Sequence, residues 1–198
     1  MPNKKTYKYK KKKKTSVALR YIALIILAIG LFFALIALQN HLRKNVDPNP
    51  PMPEGLTKAQ VIWVSDGDTI ICRFTGQLPQ EVSKIIGEVD KGDKEDEYYV
   101  RLIGYDSPES VHPDENKNTE EGRLASEFVK KELQGKEVYL EFDTQIKDKY
   151  NRILAYVWLE GALFNKRVIE EGHGELLDIP PNTKYSQVFE ETYYNRNK

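Results

Sequence analysis

Three short polar runs in this 198-residue chain combine acids, arginines and turn residues at spacings that could do chemistry. The first is Asp66-Gly67-Asp68-Thr69, between one strand-like stretch and the next. The second is Arg101 followed by Asp106-Ser107-Pro108-Glu109. Asp106 leaves a strand end and can meet Asp68 from the neighbouring strand. Two carboxylates in contact repel unless a proton or a cation lies between them. Oxygen-only ligands suit a hard divalent cation, and Glu109 could hold or deprotonate a water beside it. The third run is Asp148-Lys149-Tyr150-Asn151-Arg152, a hairpin turn that could present Arg152 as a fixed planar cation to phosphate oxygens. Each run also has an ordinary reading. Asp-Gly is a common turn, Asp106 to Pro108 can be an Asx or Pro turn with Glu109 solvated, and Asn151 tolerates positive φ.

The elements that must position these groups are legible from periodicity. Gln60–Val64 is a short apolar run closed by Asp66-Gly67. Thr69–Phe74 alternates, with Ile70, Cys72 and Phe74 opposite Ile71 and Arg73. Tyr98–Tyr105 alternates as a third strand. Val138, Leu140 and Phe142 mark a fourth, and Ile153, Ala155 and Val157 a fifth. A helix lies between the third and fourth, with Thr119 as N-cap, Glu120 and Glu121 in its first turn and Gly135 as its stop. Ala125, Phe128, Val129 and Leu133 recur on its inner face. A second helix starts near Asn165 and stops at Gly172, and a third runs from about Lys184 with Val188 and Phe189 inward. Residues 75–96 form an insertion: Leu78, Val82, Ile85 and Ile86 fit a short amphipathic helix, and the acidic run 88–97 reads as a solvated, mobile tip. The pattern is α+β. A small five-stranded antiparallel barrel with about three helices is a natural closure, because barrels remove exposed edges, but periodicity does not select it over other small α+β folds.

Composition sets outer bounds. The chain holds 30 basic and 30 acidic residues and is 40% hydrophobic, which excludes collagen-like, low-complexity and wholly disordered classes. One cysteine, Cys72, excludes an intrachain disulfide framework and a Cys-rich zinc site, and reads as a small core residue. The zero net charge is a cancellation. Residues 1–44 carry 11 basic and no acidic residues, leaving residues 45–198 at a net of −11.

That sorting has a cause. Tyr21–Leu38 is 18 residues without a charge, ~27 Å as a helix and close to the thickness of a bilayer core. The lysine-rich residues 1–16 flank it and are expected to stay in the cytoplasm. We therefore expect a transmembrane signal anchor over 17–38, a Pro-rich linker over 39–57, and an outer domain over 58–198 facing the cell exterior. An uncleaved anchor fits better than a cleaved signal peptide, because the apolar run is long and Leu35-Ile36-Ala37 lacks the small-residue pattern. Cleavage would instead release a secreted domain.

The order and context of these runs resemble the staphylococcal (thermonuclease) family. The resemblance rests on VSDGDTI at 64–70, VRLIGYDSPES at 100–110 with His112-Pro113 beyond, LASEFVKKEL at 124–133, GKEVYLEFD at 135–143 and DKYNRILAYV at 148–157. Asn165, Val168, Ile169 and Gly172 continue it. The resemblance implies an OB-fold (oligonucleotide-binding) barrel and a calcium-dependent phosphodiesterase acting on DNA and RNA, leaving 3′-phosphates. It implies Asp68, Asp106 and the Ser107 carbonyl as Ca2+ ligands, Glu109 as the residue that orients or activates water, and Arg101 and Arg152 on the scissile phosphate. Asp66 becomes an acidic support behind the metal, and Lys149 and Tyr150 become contacts to a terminal phosphate. This sequence departs from the family at Ser107, where Thr is common, and at Asn151, where Gly is common. Asp114 and Glu115 fall in a loop that is lysine-rich in the type member. The pocket tyrosines have no clear match near Leu176–Ile179, and the last helix is short.

The expectation is a membrane-tethered extracellular nuclease with a monomeric outer domain, a lipid bilayer partner through 17–38, and DNA and RNA as substrates. The alternatives are a catalytically silent barrel that binds nucleic acid or protein, and an adhesion module using the acidic insertion.

Overall fold

The structure is a computed structural model that describes residues 14–43, 47–110 and 114–196. Residues 1–13 of the basic tail, 44–46 of the linker, the His112-Pro113 pair and the chain end at Lys198 lie outside the described residues. The chain divides into two compact units, Met1–Val46 and Asp47–Lys198.

The first unit is one helix, α1 (Lys14–Arg43). Leu19–Leu38 within it is long and apolar enough to cross a membrane, and none of that stretch is buried. No proline or charged residue interrupts Tyr21–Leu38, so every turn keeps its backbone bonds. The helix overruns the expected anchor at both ends. It takes in Lys14 upstream and residues 39–43 of the expected linker, because nothing breaks it before Pro48.

The second unit is α+β. Its main sheet runs through β1 (Thr57–Asp66), β2 (Thr69–Phe74), β3 (Glu97–Leu102), β5 (Glu137–Glu141), β6 (Ile153–Leu159) and β7 (Ala162–Leu163). A two-residue turn at Gly67 joins β1 to β2. Antiparallel pairs link β3–β2, β2–β1, β1–β5 and β5–β6. β3 also pairs in parallel with β6, so the pairings return to their start. Val61, Ile70, Cys72, Val100, Leu102, Val138, Leu140 and Val157 fill the interior. Where alternation is expected for β6, all seven of its residues are buried, because α4 (Phe164–Glu170) covers its other face.

The stretch expected as one strand over Tyr98–Tyr105 is two. β3 ends at Leu102, and β4 (Gly104–Asp106) pairs instead with β8 (Glu175–Leu177). Gly104 makes the break at φ 101, and a Cβ there would run into the Phe189 ring. Among the described residues the domain has four α-helices where about three are expected: α2 (Gln80–Ile85), α3 (Glu120–Leu133), α4 and α5 (Ser186–Asn195). Thr119 caps α3, its hydroxyl accepting from Gly122 N at 2.9 Å.

The acidic insertion is not a solvated tip along its whole length. Val82 and Val89 are buried. Gly92 N donates to the Glu97 carbonyl at 2.7 Å, folding 91–98 back on itself. Glu97 is only 4% exposed and pairs with Arg73 at 2.8 Å, while Asp96 pairs with the same guanidinium at 2.6 Å. The charge run reads as solvated because its lone apolar residues carry no period; Arg73 on the neighbouring strand supplies the counter-charge.

One buried side chain joins three elements. Asn165 is fully buried; its Oδ1 accepts from Val157 N at 2.7 Å and its Nδ2 donates to Ile103 O at 2.8 Å. Asn165→Ala strands both backbone groups and is expected to lower stability by about 2–4 kcal/mol. A thermal or denaturant melt that moves by less than a degree or two contradicts this role.

Candidate active site

Strand register places the site. Asp66 pairs with Thr69 across the β1–β2 turn, and irregularities in β1 at Val61/Trp63 and Val64/Asp66 twist its end. Thr69 lies opposite Arg101 on β3. Arg101 lies beside Leu154 on β6, so Arg152, the residue just before β6, comes to the same rim. The short β4 then carries Asp106 back over that rim. A cleft of about 1000 Å3 opens here.

At its floor a guanidinium sits between two carboxylates. Arg101 is 4% exposed; its Nη1 pairs with Asp68 Oδ2, and its Nη2 reaches Asp106 Oδ1 at 2.6 Å and the Tyr105 carbonyl at 3.1 Å. Burial pulls the Arg101 guanidinium below its ordinary pKa, and the Asp106 charge opposes that pull. Asp68 is 6% exposed and also accepts from Thr69 Oγ1 at 2.7 Å and Ser107 N at 3.3 Å. Asp106 is exposed toward the cleft. The buried Tyr105 hydroxyl donates to Gly67 O at 2.9 Å and pins the β1–β2 turn; burial pushes its phenol pKa up.

The loop carrying Glu109 is clamped by α3. Asp66 Oδ1 accepts from Gly67 N at 2.8 Å, Ser110 Oγ at 2.5 Å and Ser126 Oγ at 3.0 Å. The Glu109 carbonyl accepts from Thr119 N at 2.9 Å. Gly122 lets the first turn of α3 lie against this loop, since a Cβ there would overlap the Glu109 carbonyl.

On the opposite side the 148–152 turn is organised by Asp148. Its Oδ1 accepts from Tyr150 N and Arg152 N, each at 2.9 Å. Its Oδ2 lies 2.8 Å from both Nε and Nη2 of Arg152. Arg152 Nη1 donates to Thr69 Oγ1 at 3.1 Å, so one hydroxyl links this arginine to Asp68. Asn151 takes the left-handed conformation at φ 63. Lys149 and Tyr150 stand exposed, with Lys149 Nζ 4.8 Å from the Tyr150 ring centre.

All nine residues singled out from the sequence (Asp66, Asp68, Arg101, Asp106, Ser107, Glu109, Lys149, Tyr150 and Arg152) line this one cleft. The sequence reading gave no role to Thr69, Tyr105, Ser110, Ser126, Asp148 or Asp90. Thr69 and Asp148 carried a signal, since each adjoins or precedes a chosen residue in a turn. Ser126 carried none: nothing in a helix interior marks one serine as reaching back sixty residues to Asp66. The far wall is Leu177, Ile179 and Pro180, which are apolar and not tyrosine.

Among the described residues no group of three or more His, Cys, Asp or Glu side chains gathers as a metal site. The donors available are two carboxylates and the Ser107 backbone. The buried Ser107 Oγ has no hydrogen-bond partner among the described residues. This oxygen-only set fits a hard divalent cation and not zinc or copper.

The family model described as "Staphylococcal nuclease homologue" matches residues 99–195, a stretch that includes Arg101 and Arg152 but not Asp66 or Asp68. The chain is 42% identical over 128 residues to a thermonuclease of Staphylococcus intermedius, covering 65% of this chain and 64% of that protein. It is 39% identical over 132 residues to a thermonuclease of Staphylococcus hyicus, covering 67% and 66%. It is also 33% identical over 126 residues to an SPbeta prophage-derived endonuclease of Bacillus subtilis, covering 63% of this chain and 36% of that one. The matches thus span slightly under two thirds of the two staphylococcal relatives. In its pattern of cations and oxygen donors at the rim of an α+β domain, this chain is similar to the staphylococcal nuclease homologue family.

Proposed function

We propose that this protein is a calcium-dependent nuclease, held at the outer face of the cell membrane by residues 17–38, that hydrolyses phosphodiester bonds of DNA and RNA. The observation that carries the reading is the gathering, in one cleft, of Asp68, Asp106 and Ser107 with Glu109, Arg101 and Arg152. The closed pairing of β3 with β6 supports an OB-type barrel beneath it. The basic residues 1–16 would lie in the cytoplasm, and residues 58–198 would form the nuclease domain.

A phosphodiester carries one negative charge and gains more in a pentavalent transition state. Groups that meet that charge as it develops lower the barrier, while groups that meet only the ground state do not. Arg152 presents a planar cation already oriented by Asp148 and Thr69, so little reorganisation accompanies the reaction. Arg101 holds a second cation beside the carboxylates. Glu109, on its clamped loop, takes the proton of the attacking water. Asp68, Asp106 and the Ser107 carbonyl would hold the Ca2+, which when bound supplies positive charge for phosphate oxygen or water. Asp66 supports them through the turn at Gly67. Lys149 and Tyr150 receive a terminal phosphate at the outer lip.

Cleavage of single-stranded DNA by the full chain in detergent should stop with chelator and return with calcium. Arg152→Ala and Glu109→Gln should each lower kcat by about 10²–10³. Full activity in chelator, or in both variants, overturns the assignment; a parent with no activity but measurable DNA binding supports a silent binding module.

The acidic balance of residues 45–198 predicts weak electrostatic capture outside the cleft. The log–log salt dependence of DNA binding should have a slope below about 3 in magnitude, shallower than that of basic binders with many phosphate contacts. A slope near that of such binders contradicts this. In cells, the protein should sediment with membranes, resist extraction by high salt, dissolve in detergent, and be open to external protease. Recovery in the soluble fraction contradicts an uncleaved anchor.

A further inference from the structure

The chain's two tryptophans sit in opposite surroundings. Trp158 is fully buried, and its Nε1 donates to Glu141 at 2.8 Å. Trp63 is 49% exposed on β1, the strand that ends at Asp66. Val64 is buried, while Trp63 and Ser65 on either side of it are open to solvent, and Ser65 lines the cleft. Two residues of strand separate the indole from that cleft edge, about 7 Å.

α3 follows β1 away from the cleft. Ser126 bonds Asp66 at 3.0 Å, and one turn further on Lys130 holds its Nζ 4.4 Å from the centre of a Trp63 ring. Just past the helix, Gly135 N donates to the Val61 carbonyl at 2.9 Å. Among the described residues the Lys130 ammonium has no carboxylate partner. On the other side of Trp63 the sheet is covered. Its cross-strand neighbour Ile71 is 8% exposed, and a Cβ on Gly92 of the insertion would come within 2.8 Å of Ile71 Cγ2. Asp90 N, donating to the Asn151 carbonyl at 2.8 Å, holds the insertion there. A chain leaving the cleft past Ser65 therefore meets Trp63 and Lys130 together.

We propose that Trp63 and Lys130 form a binding site for an unpaired nucleotide of a single strand whose scissile phosphate lies in the cleft, the indole stacking on the base and the ammonium meeting a phosphate. This deepens the nuclease reading above and rests on it: it names single strands as the favoured form of the substrate. Base–aromatic stacking tolerates any sequence, because every base has a π-face. An exposed cation–π contact is weaker than such stacking, so a base displaces the lysine from the ring, and its long stem carries the charge to the backbone. The gap of about 7 Å is roughly two base rises, which puts the stacked base a nucleotide or two beyond the cleft edge. An acidic domain gains little from phosphates outside its cleft, whereas stacking does not depend on net charge. A duplex offers this site nothing, because its bases are already stacked.

The test follows tryptophan emission and calorimetric binding in the full chain in detergent, with chelator present so that nothing is cut. Trp158 is buried, so quenching by added DNA reads Trp63. A thymidine strand of about eight residues should quench the parent; a dinucleotide, too short to leave the cleft, and a duplex of the longer length should not. Trp63→Ala should weaken binding of the longer strand by about fivefold to hundredfold and leave the dinucleotide affinity unmoved, and Trp63→Phe should recover most of the loss. A single abasic site moved along the strand should reveal a position whose cost in the parent disappears in Trp63→Ala. Absence of quenching, or equal affinity of the parent and Trp63→Ala for the longer strand, overturns the site. So does emission that shifts on transfer from detergent to phospholipid nanodiscs but not with DNA, which gives the residue to the membrane. If Trp63→Ala fails to fold, quenching in the parent and the abasic scan against Trp63→Leu decide in the same way. Calcium-dependent cleavage, followed separately, distinguishes the two readings. An active parent without the gain in affinity on the longer strand removes this site alone, and an inactive parent that keeps it removes the nuclease reading alone.

Discussion

A nearly buried guanidinium between two carboxylates governs the architecture of this site. Arg101 and Asp68 are both under a tenth exposed, and neither charge would be tolerable there alone. Each needs the other, and Asp106 closes the cluster from the cleft side at 2.6 Å. Such a group demands backbone fixed on every side. The Thr69–Arg101 register, the parallel pairing of β3 with β6 and the Tyr105 bond to the β1–β2 turn supply it. The same cluster concentrates oxygen donors and positive charge within a few bonds, the combination that phosphoryl chemistry requires.

Two outer clamps extend that rigidity to the groups at the rim. On one side Asp66, Ser110 and Ser126 tie the Glu109 loop to α3, and Gly122 allows the approach. On the other, Asp148 gathers two backbone amides and the Arg152 side chain into one turn. Thr69 joins the two halves, touching Asp68 with one bond and Arg152 with the other. Positions held in this way lose little entropy on binding, which is how orientation contributes to rate.

Charge is distributed in opposition across the chain. A basic segment precedes an apolar helix, and an acidic domain follows. Part of that acid is spent on structure, as with Glu97 on Arg73 and Glu141, which accepts from Trp158 Nε1 at 2.8 Å.

Local sequence determined the helix α1, the cap at Thr119, the strand faces and the residue types of each polar run, because these depend on neighbours within a few positions. It also marked the nine residues of the cleft, since acids and arginines beside turn signals are visible one run at a time. Tertiary structure decided the rest. Gly104 had to split a strand because Phe189, eighty-five residues on, occupies the space a Cβ would need. The acidic insertion had to fold inward because Arg73 and the Asn151 carbonyl waited for it. Ser126 became a support for Asp66 only once α3 crossed behind the loop. Periodicity reports which face of an element is apolar, but not which distant group will satisfy a polar atom on that face; that is set when the elements pack.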